Sequence, residues 1–195
     1  MITSLPYKTI QFCIKQNDMK VLLVPAICFL LCSSSKAQMP FLKSGDPMPA
    51  FLFTNLQNAP VQQWELSRKN NNKFTIVNFW GTWCSPCIPE MDSLARLQKN
   101  NAEKVQMIAI SNDAPARLSK YLKQKPTPVW LVSDTSFFLY KLFGFASVGH
   151  CAIIDKQGQI IALVKTDSVN QSLINRLVKG TPVLSSADIK ETAVP

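Results

Sequence analysis

The chain has 195 residues, 47% hydrophobic and 17% charged, without low-complexity segments, a composition that supports a folded domain and excludes a disordered protein. Its net charge is +9, but the basic residues are scattered and not interleaved with aromatic residues, which argues against nucleic-acid binding. Beyond residue 37, one close cysteine pair, Cys84 and Cys87, without a second pair and with a single histidine in the chain, provides too few ligands for a structural zinc site.

The N-terminal segment has the pattern of a secretory signal. Lys20 precedes an apolar run from Val21 to Cys32, and Ala37 ends a small-x-small cleavage pattern. The run is shorter than the roughly 20 residues that a membrane-spanning helix needs. We therefore expect a signal segment over residues 1–37, with Met19 as an alternative start, and a periplasmic or otherwise extracytoplasmic mature protein. A retained membrane anchor is the alternative.

The first elements after this segment are short, and the strongest strand signal follows them. The apolar stretch AFLFTNL predicts an edge strand, and WELSRKNN predicts a short surface helix. KFTIVNFW is β-branched, aromatic and almost continuously apolar, as is typical of a strand that is buried on both faces.

The rest of the chain alternates between helices and strands. In order, it predicts a helix from Pro86 to Lys99, the strand VQMIAIS, the helix APARLSKYLKQK, the strand PVWLVSD, the short helix SFFLYKLFG, the strands HCAIID and QIIALVK joined by the turn DKQG, and the helix SVNQSLINRLVKG. In the last helix, Ser168 is the expected N-cap and Gly180 the stop. This order predicts an α/β domain over residues 38–180, with a mixed central sheet and helices on both faces. Residues 181–195 are expected to form an extended or mobile tail.

Cys84 and Cys87 stand where the strongest strand meets the following helix. The helix dipole and the free N–H groups there favour a thiolate, so Cys84 is the expected nucleophile, with a lowered pKa, and Cys87 the resolving thiol. Pro86 suits the first helical turn because its missing N–H would have no partner there. A metal site or a structural disulfide could use the same spacing, but only a redox role accounts for this junction.

The segment FTIVNFWGTWCSPCIPEMDSL resembles the active-site segment of thioredoxin-fold TlpA/ResA-type thiol-disulfide oxidoreductases. The resemblance extends from SGDPMPAF through AIIDKQGQII to the last helix. It implies a thioredoxin-like three-layer fold and an extracytoplasmic enzyme that reduces disulfides in partner proteins. We expect a monomer without a cofactor, with a membrane electron donor as a candidate second partner.

The resemblance also assigns roles to single residues. Cys84 and Cys87 match the redox pair, and Trp83 matches the aromatic residue beside it. Glu90 matches a carboxylate that some members use to tune proton transfer at the dithiol, and its spacing places it on the helix face of Cys87. It either accepts a proton from Cys87 or only complements the helix dipole. Asn78 stands where thioredoxin has a buried acid.

One departure from the family concerns the loop that should carry the substrate. Gly149 stands where the family has a cis-proline facing the cysteines, so a more mobile substrate loop is expected at Gly149 and His150. His150 is either a solvated side chain or a proton-exchanging group at the redox site. Cys151, within an apolar strand, is expected to be a buried small hydrophobe.

Two other functions remain open at this point. Cys84, Cys87 and His150 are soft ligands that could hold Cu(I), which would make the protein a metal-handling module. A peroxidase of related fold is the other alternative, although it would need a nucleophilic cysteine without an immediate C-x-x-C partner. The aromatic cluster of Phe137, Phe138, Tyr140 and Phe143 is expected to be core.

Overall fold

The computed structural model describes residues 41–49, 52–54, 56, 63–65 and 72–183. The predicted signal segment, residues 1–37, and the predicted tail after Val183 lie outside the described residues. Within the described ranges, no helix combines the length and the apolarity that a bilayer crossing requires.

Seven strands, four α-helices and one 3₁₀ helix make up the described part of the chain. In order they are β1 (Leu52–Thr54), β2 (Gln63–Glu65), β3 (Phe74–Trp80), α1 (Cys87–Asn100), β4 (Val105–Ser111), α2 (Pro115–Gln124), β5 (Trp130–Ser133), α3 (Phe138–Leu142), β6 (His150–Ile154), β7 (Ile160–Lys165), a 3₁₀ helix (Thr166–Ser168) and α4 (Gln171–Lys179).

The sheet at the centre is mixed, as the sequence predicted, and its five strands lie in the order β5-β4-β3-β6-β7. β3 pairs parallel with β4, and β4 pairs parallel with β5. β6 runs antiparallel to both β3 and β7. Because β6 is antiparallel to β3, it begins at the sheet edge where β3 ends. The connection after β3 and the loop before β6 therefore share one edge.

The two faces of the sheet carry separate apolar clusters, because β3 is buried on both sides. Ile76 and Trp80 face the cluster that includes residues of α1, α2 and α4. Val77 and Phe79 face the cluster that includes Tyr140 of α3. Three layers result, with the sheet in the middle.

Three local predictions were wrong. Trp64 and Glu65, expected in a helix, belong to β2, which pairs antiparallel with β1 in a separate two-stranded sheet. Residues 66–71 of that predicted helix are outside the described residues. The N-cap of α4 is Asn170, whose Oδ1 accepts a hydrogen bond from Leu173 N at 3.0 Å, and Ser168 lies in the 3₁₀ helix instead.

The third error concerns the aromatic cluster near α3. Tyr140 and Phe143 are buried, as expected, but Phe137 and Phe138 are 43% and 49% exposed. Phe137 has a left-handed backbone at the N-cap of α3 and touches the buried Tyr140 edge-on, with ring centroids 5.7 Å apart, so it lies at the margin of the cluster.

Candidate active site

A disulfide joins Cys84 and Cys87 just beyond the end of β3. The turn between them is closed by a hydrogen bond from Cys87 N to Cys84 O at 3.0 Å. Pro86 occupies the cap position and α1 begins at Cys87. Cys84 is 8% exposed and Cys87 only 1%, so Cys84 is the residue that a partner can reach first.

Residues at and just after the end of β4 hold in place the turn that leads from β3 to this disulfide. Asp113, which is buried, accepts a hydrogen bond from Thr82 N at 2.7 Å and another from the Ser111 hydroxyl at 3.0 Å. Trp83 Nε1 donates to Asn112 Oδ1 at 3.2 Å. Parallel strands end at the same edge of a sheet, so the segments that follow β3 and β4 meet there.

Trp83 presents an aromatic surface next to Cys84. Its side chain is 58% exposed although its ring lies over Gly81. A Cβ at Gly81 would come within 2.6 Å of Trp83 Nε1, a distance that only displacement of the indole could relieve. The glycine therefore permits the ring to lie over the turn that leads to the disulfide.

Behind the disulfide lies a small buried polar cluster of Asn78, Cys151 and Thr166. The Thr166 hydroxyl donates to Asn78 Oδ1 at 2.8 Å, and the Cys151 thiol donates to the same oxygen at 3.4 Å. Burial raises the pKa of the Cys151 thiol to about 12, so it remains neutral at physiological pH. Cys151 is fully buried, which confirms its prediction as a core residue.

Glu90 is half-buried and lines a groove of about 650 Å³ beside α1. Thr166 and Asp167 of the 3₁₀ helix line the same groove. Burial, and secondarily repulsion from the Asp167 carboxylate, raise the pKa of Glu90 above its ordinary value. The Glu90 carboxyl therefore keeps its proton to a higher pH than an ordinary glutamate does, which suits a group that exchanges protons near the dithiol.

The Gly149 loop, residues 146–149, lies at the edge of the sheet where β3 ends and β6 begins. Gly149 N donates to Phe79 O at 2.8 Å, and Gly149 O accepts from Thr166 N at 3.0 Å. Gly149 has φ of +86°, a region that proline cannot enter and that other side chains rarely adopt. The loop is thus tied down by hydrogen bonds rather than by a proline ring.

His150 lies on the sheet face opposite to the disulfide. It pairs with Phe79 across the sheet, and its ring stacks on Phe145 with centroids 4.9 Å apart. Cys84 and Cys87 belong to the other apolar cluster. The structure does not bring His150 together with the two cysteines.

Neither alternative function gains support from this geometry. Among the described residues, no three or more histidine, cysteine, aspartate or glutamate side chains are grouped so that they could hold a metal ion. Cys84 has its C-x-x-C partner bonded to it, unlike the isolated nucleophile expected for the peroxidase.

Sequence reasoning missed Asn112, Asp113 and Thr166. The polar run SND at the end of β4 was a usable signal for the first two, because it ends a buried strand that is parallel to the strand leading into the cysteines. Thr166 had no such signal, since its partner Asn78 is 88 residues away in the chain.

Comparisons with known proteins bear on this arrangement. The model of the Redoxin family matches residues 43–175, which is more than half of the chain. This chain belongs to the Redoxin family. It is 27% identical over 164 residues to the thiol-disulfide oxidoreductase ResA of Bacillus thuringiensis subsp. konkukian, an alignment that covers 83% of this chain and 92% of that protein. ResA of Bacillus subtilis is 20% identical over 157 residues, covering 80% and 85% of the two chains.

A solved structure with the same fold is a thiol-disulfide oxidoreductase from Bacteroides fragilis, with a TM-score of 0.56 and 21% identity. The match covers 69% of this chain and 98% of that one. The fold is therefore thioredoxin-like, and the resemblance to the TlpA/ResA type that the cysteine segment indicated is confirmed. With its C-x-x-C pair at the start of α1, this Redoxin family member is a thiol-disulfide oxidoreductase.

Proposed function

We propose that the protein reduces disulfide bonds in partner proteins outside the cytoplasm. In each cycle, the Cys84 thiolate attacks one sulfur of the partner disulfide, and the other partner sulfur leaves as a thiolate. Cys87 then attacks the mixed disulfide, which releases the second partner thiolate and leaves the Cys84–Cys87 disulfide. The partner gains two electrons and the dithiol loses two; a separate donor, for which a membrane protein is a candidate, restores the dithiol.

The observation that carries the division of labour is the difference in exposure between the two cysteines. Cys84 retains 8% of its accessible surface and Cys87 1%. A partner disulfide can therefore meet Cys84 first, while Cys87 is close enough to resolve the mixed disulfide without leaving the core. Trp83 lies beside Cys84 as an exposed aromatic surface against which a polypeptide can pack.

Reduction, rather than oxidation, is supported by the surroundings of the pair. Both cysteines belong to an apolar cluster that contains Trp80 and Met91. Burial in such a cluster disfavours a thiolate, which opposes the effect of the helix start and leaves the reduced form less stabilised. A dithiol whose reduced form is poorly stabilised gives up its electrons readily.

Glu90 is the candidate proton acceptor for Cys87, which must lose its proton before it can resolve the mixed disulfide. Glu90 is three residues after Cys87 on α1, which places the two on neighbouring parts of one helix surface. Its raised pKa brings proton exchange closer to neutral pH than an ordinary glutamate would allow. The Gly149 loop is the candidate platform for the partner polypeptide.

The test of this function is to trap its intermediate and to measure its potential. A Cys87→Ser variant should accumulate mixed disulfides with protein substrates, whereas Cys84→Ser should form none. The reduction potential of the Cys84–Cys87 couple should lie nearer to that of thioredoxin, about −270 mV, than to that of DsbA, about −120 mV. Faster alkylation of Cys87 than of Cys84 would reverse the roles, and a potential near that of DsbA would make the protein an oxidant.

A further inference from the structure

We propose that Thr166 is a positioning residue that holds the Gly149 loop in register with the dithiol. The proposal rests on the proposed function, because it concerns how a polypeptide substrate is presented to Cys84. Thr166 is 3% exposed and is the first residue of the 3₁₀ helix that follows β7.

Thr166 is bonded through both its backbone and its side chain. Its amide donates to Gly149 O at 3.0 Å, at the sheet edge where the loop meets the end of β3. Its hydroxyl donates to Asn78 Oδ1 at 2.8 Å, in the core behind the disulfide. One residue therefore connects the candidate substrate platform to the centre of the sheet.

Asn78 continues this connection to the helix that carries Cys87. Asn78 is 2% exposed, and its side-chain amide donates to Met91 Sδ at 3.4 Å. Met91 is four residues after Cys87 in α1 and is buried on the same side of the helix. The contacts thus run without interruption from Gly149 through Thr166 and Asn78 to α1.

Of the two groups that donate to Asn78 Oδ1, the Thr166 hydroxyl is the stronger donor. The other donor to Asn78 Oδ1 is the Cys151 thiol at 3.4 Å, and a thiol is a weak donor. Valine has nearly the shape of threonine, so T166V would leave Asn78 Oδ1 with the weak donor alone. A shift of the 3₁₀ helix that takes the apolar valine side chain away from Asn78 Oδ1 would move the Gly149 loop, because Gly149 O is bonded to the amide of the same residue.

Reduction of a small disulfide and reduction of a polypeptide disulfide should respond differently to that shift. A small disulfide needs only the two thiols, whereas a polypeptide also lies against the Gly149 loop. Loss of one hydrogen bond of ordinary net strength should raise the KM for a protein disulfide by about three- to tenfold and change kcat by less than about twofold. Turnover of a small disulfide should stay at the wild-type level.

The experiment compares wild type with T166V, T166S and T75V, each supplied with an external reductant. Thr75 is also fully buried, and its hydroxyl has no partner within the described part of the chain. T75V therefore makes the same exchange without breaking a hydrogen bond. Reduction of insulin should show the raised KM in T166V alone, T166S should recover the wild-type KM, and hydroxyethyl disulfide should be reduced equally by all four proteins.

Amide hydrogen exchange provides a readout that does not depend on activity. In T166V the amide of Gly149, which donates to Phe79 O, should exchange faster than in wild type, while T75V and T166S should match wild type. Equal loss of insulin and small-disulfide turnover in T166V, an effect of T75V of the same size, or unchanged exchange at Gly149 would overturn the proposal. If wild type reduces neither substrate, the proposed function fails, and the exchange data still decide the role of Thr166.

Discussion

At the scale of single residues, Glu90 and Asp167 show how a carboxylate near a dithiol can be tuned from outside the helix that carries it. Burial is the larger cause that raises the pKa of Glu90, and repulsion from the Asp167 carboxylate, which lines the same groove, is the smaller one. Because the folded protein favours protonated Glu90, this residue adds to the free energy of unfolding at pH values below the pKa that it has in the unfolded chain. That contribution is lost as the pH rises through the raised value.

We predict that Asp167→Asn moves the acid limb of the rate profile to lower pH. Removing the Asp167 charge takes away one of the two causes that raise the pKa of Glu90, while burial remains. Glu90 then ionises, and can accept a proton from Cys87, at a lower pH than in wild type. The measurement is the rate of disulfide exchange between pH 4 and 8 in single-turnover experiments.

Asp92→Asn is the matched control for this prediction, because Asp92 is on the same helix but is exposed and paired with Lys125 Nζ at 3.1 Å. It should leave the limb in place, and Glu90→Gln should remove the limb. A limb that survives in Glu90→Gln would return Glu90 to complementing the helix dipole.

At the scale of elements, the long buried strands and α1 could be predicted within one or two residues. β3 and β4 are nearly continuous apolar runs, and the β6–β7 hairpin is marked by a turn whose Gly158 has φ of +86°. β2 could not be predicted, since three residues carry no period and its pairing with β1 is a tertiary effect.

The same difference between local signals and long-range contacts decides which parts of the candidate site could be predicted. The position of the cysteine pair at a strand-helix junction is local and could be read from the sequence. The orientation of His150 depends on its register against Phe79, and the anchoring of Thr82 depends on Asp113, 31 residues away. Contacts of that kind leave no pattern in a short segment of sequence.

We predict that Gly149→Ala weakens protein disulfide reduction, whereas Gly45→Ala does not. Both glycines have positive φ, +86° and +92°, and a Cβ at either would meet no atom within 4 Å. Each substitution should therefore cost the same conformational strain, about 1–2 kcal/mol, without a steric clash. Only Gly149 lies beside the end of β3, so only its variant should raise the KM for insulin.

Urea denaturation should show equal losses of stability for the two variants, and the insulin assay should separate them. If both variants keep the wild-type KM, the Gly149 loop is not the substrate platform. Gly149→Pro is a harsher change than it would be at a family proline, because it also removes the hydrogen bond to Phe79 O.

At the scale of the whole molecule, the start of the folded domain determines which segment can be removed. The residues just after the predicted cleavage point are part of the fold: Leu42 N donates to Leu142 O at 2.8 Å, and Met48 N donates to Gly158 O at 2.8 Å. Met48 is 4% exposed and packs in the cluster on the α3 face. A domain that begins at Gln38 keeps all of these contacts.

We predict that export removes residues 1–37 and that the protein recovered from the periplasm begins near Gln38, which mass spectrometry of the intact chain will test. A chain of residues 38–195 should then be fully stable in urea denaturation. A chain of residues 50–195 should lose about 2–5 kcal/mol of unfolding free energy, because it lacks the buried Met48 side chain. Equal stability of the two chains would move the domain boundary past residue 50. A soluble exported protein that still carries residues 19–37 would show that the segment is not a cleaved signal.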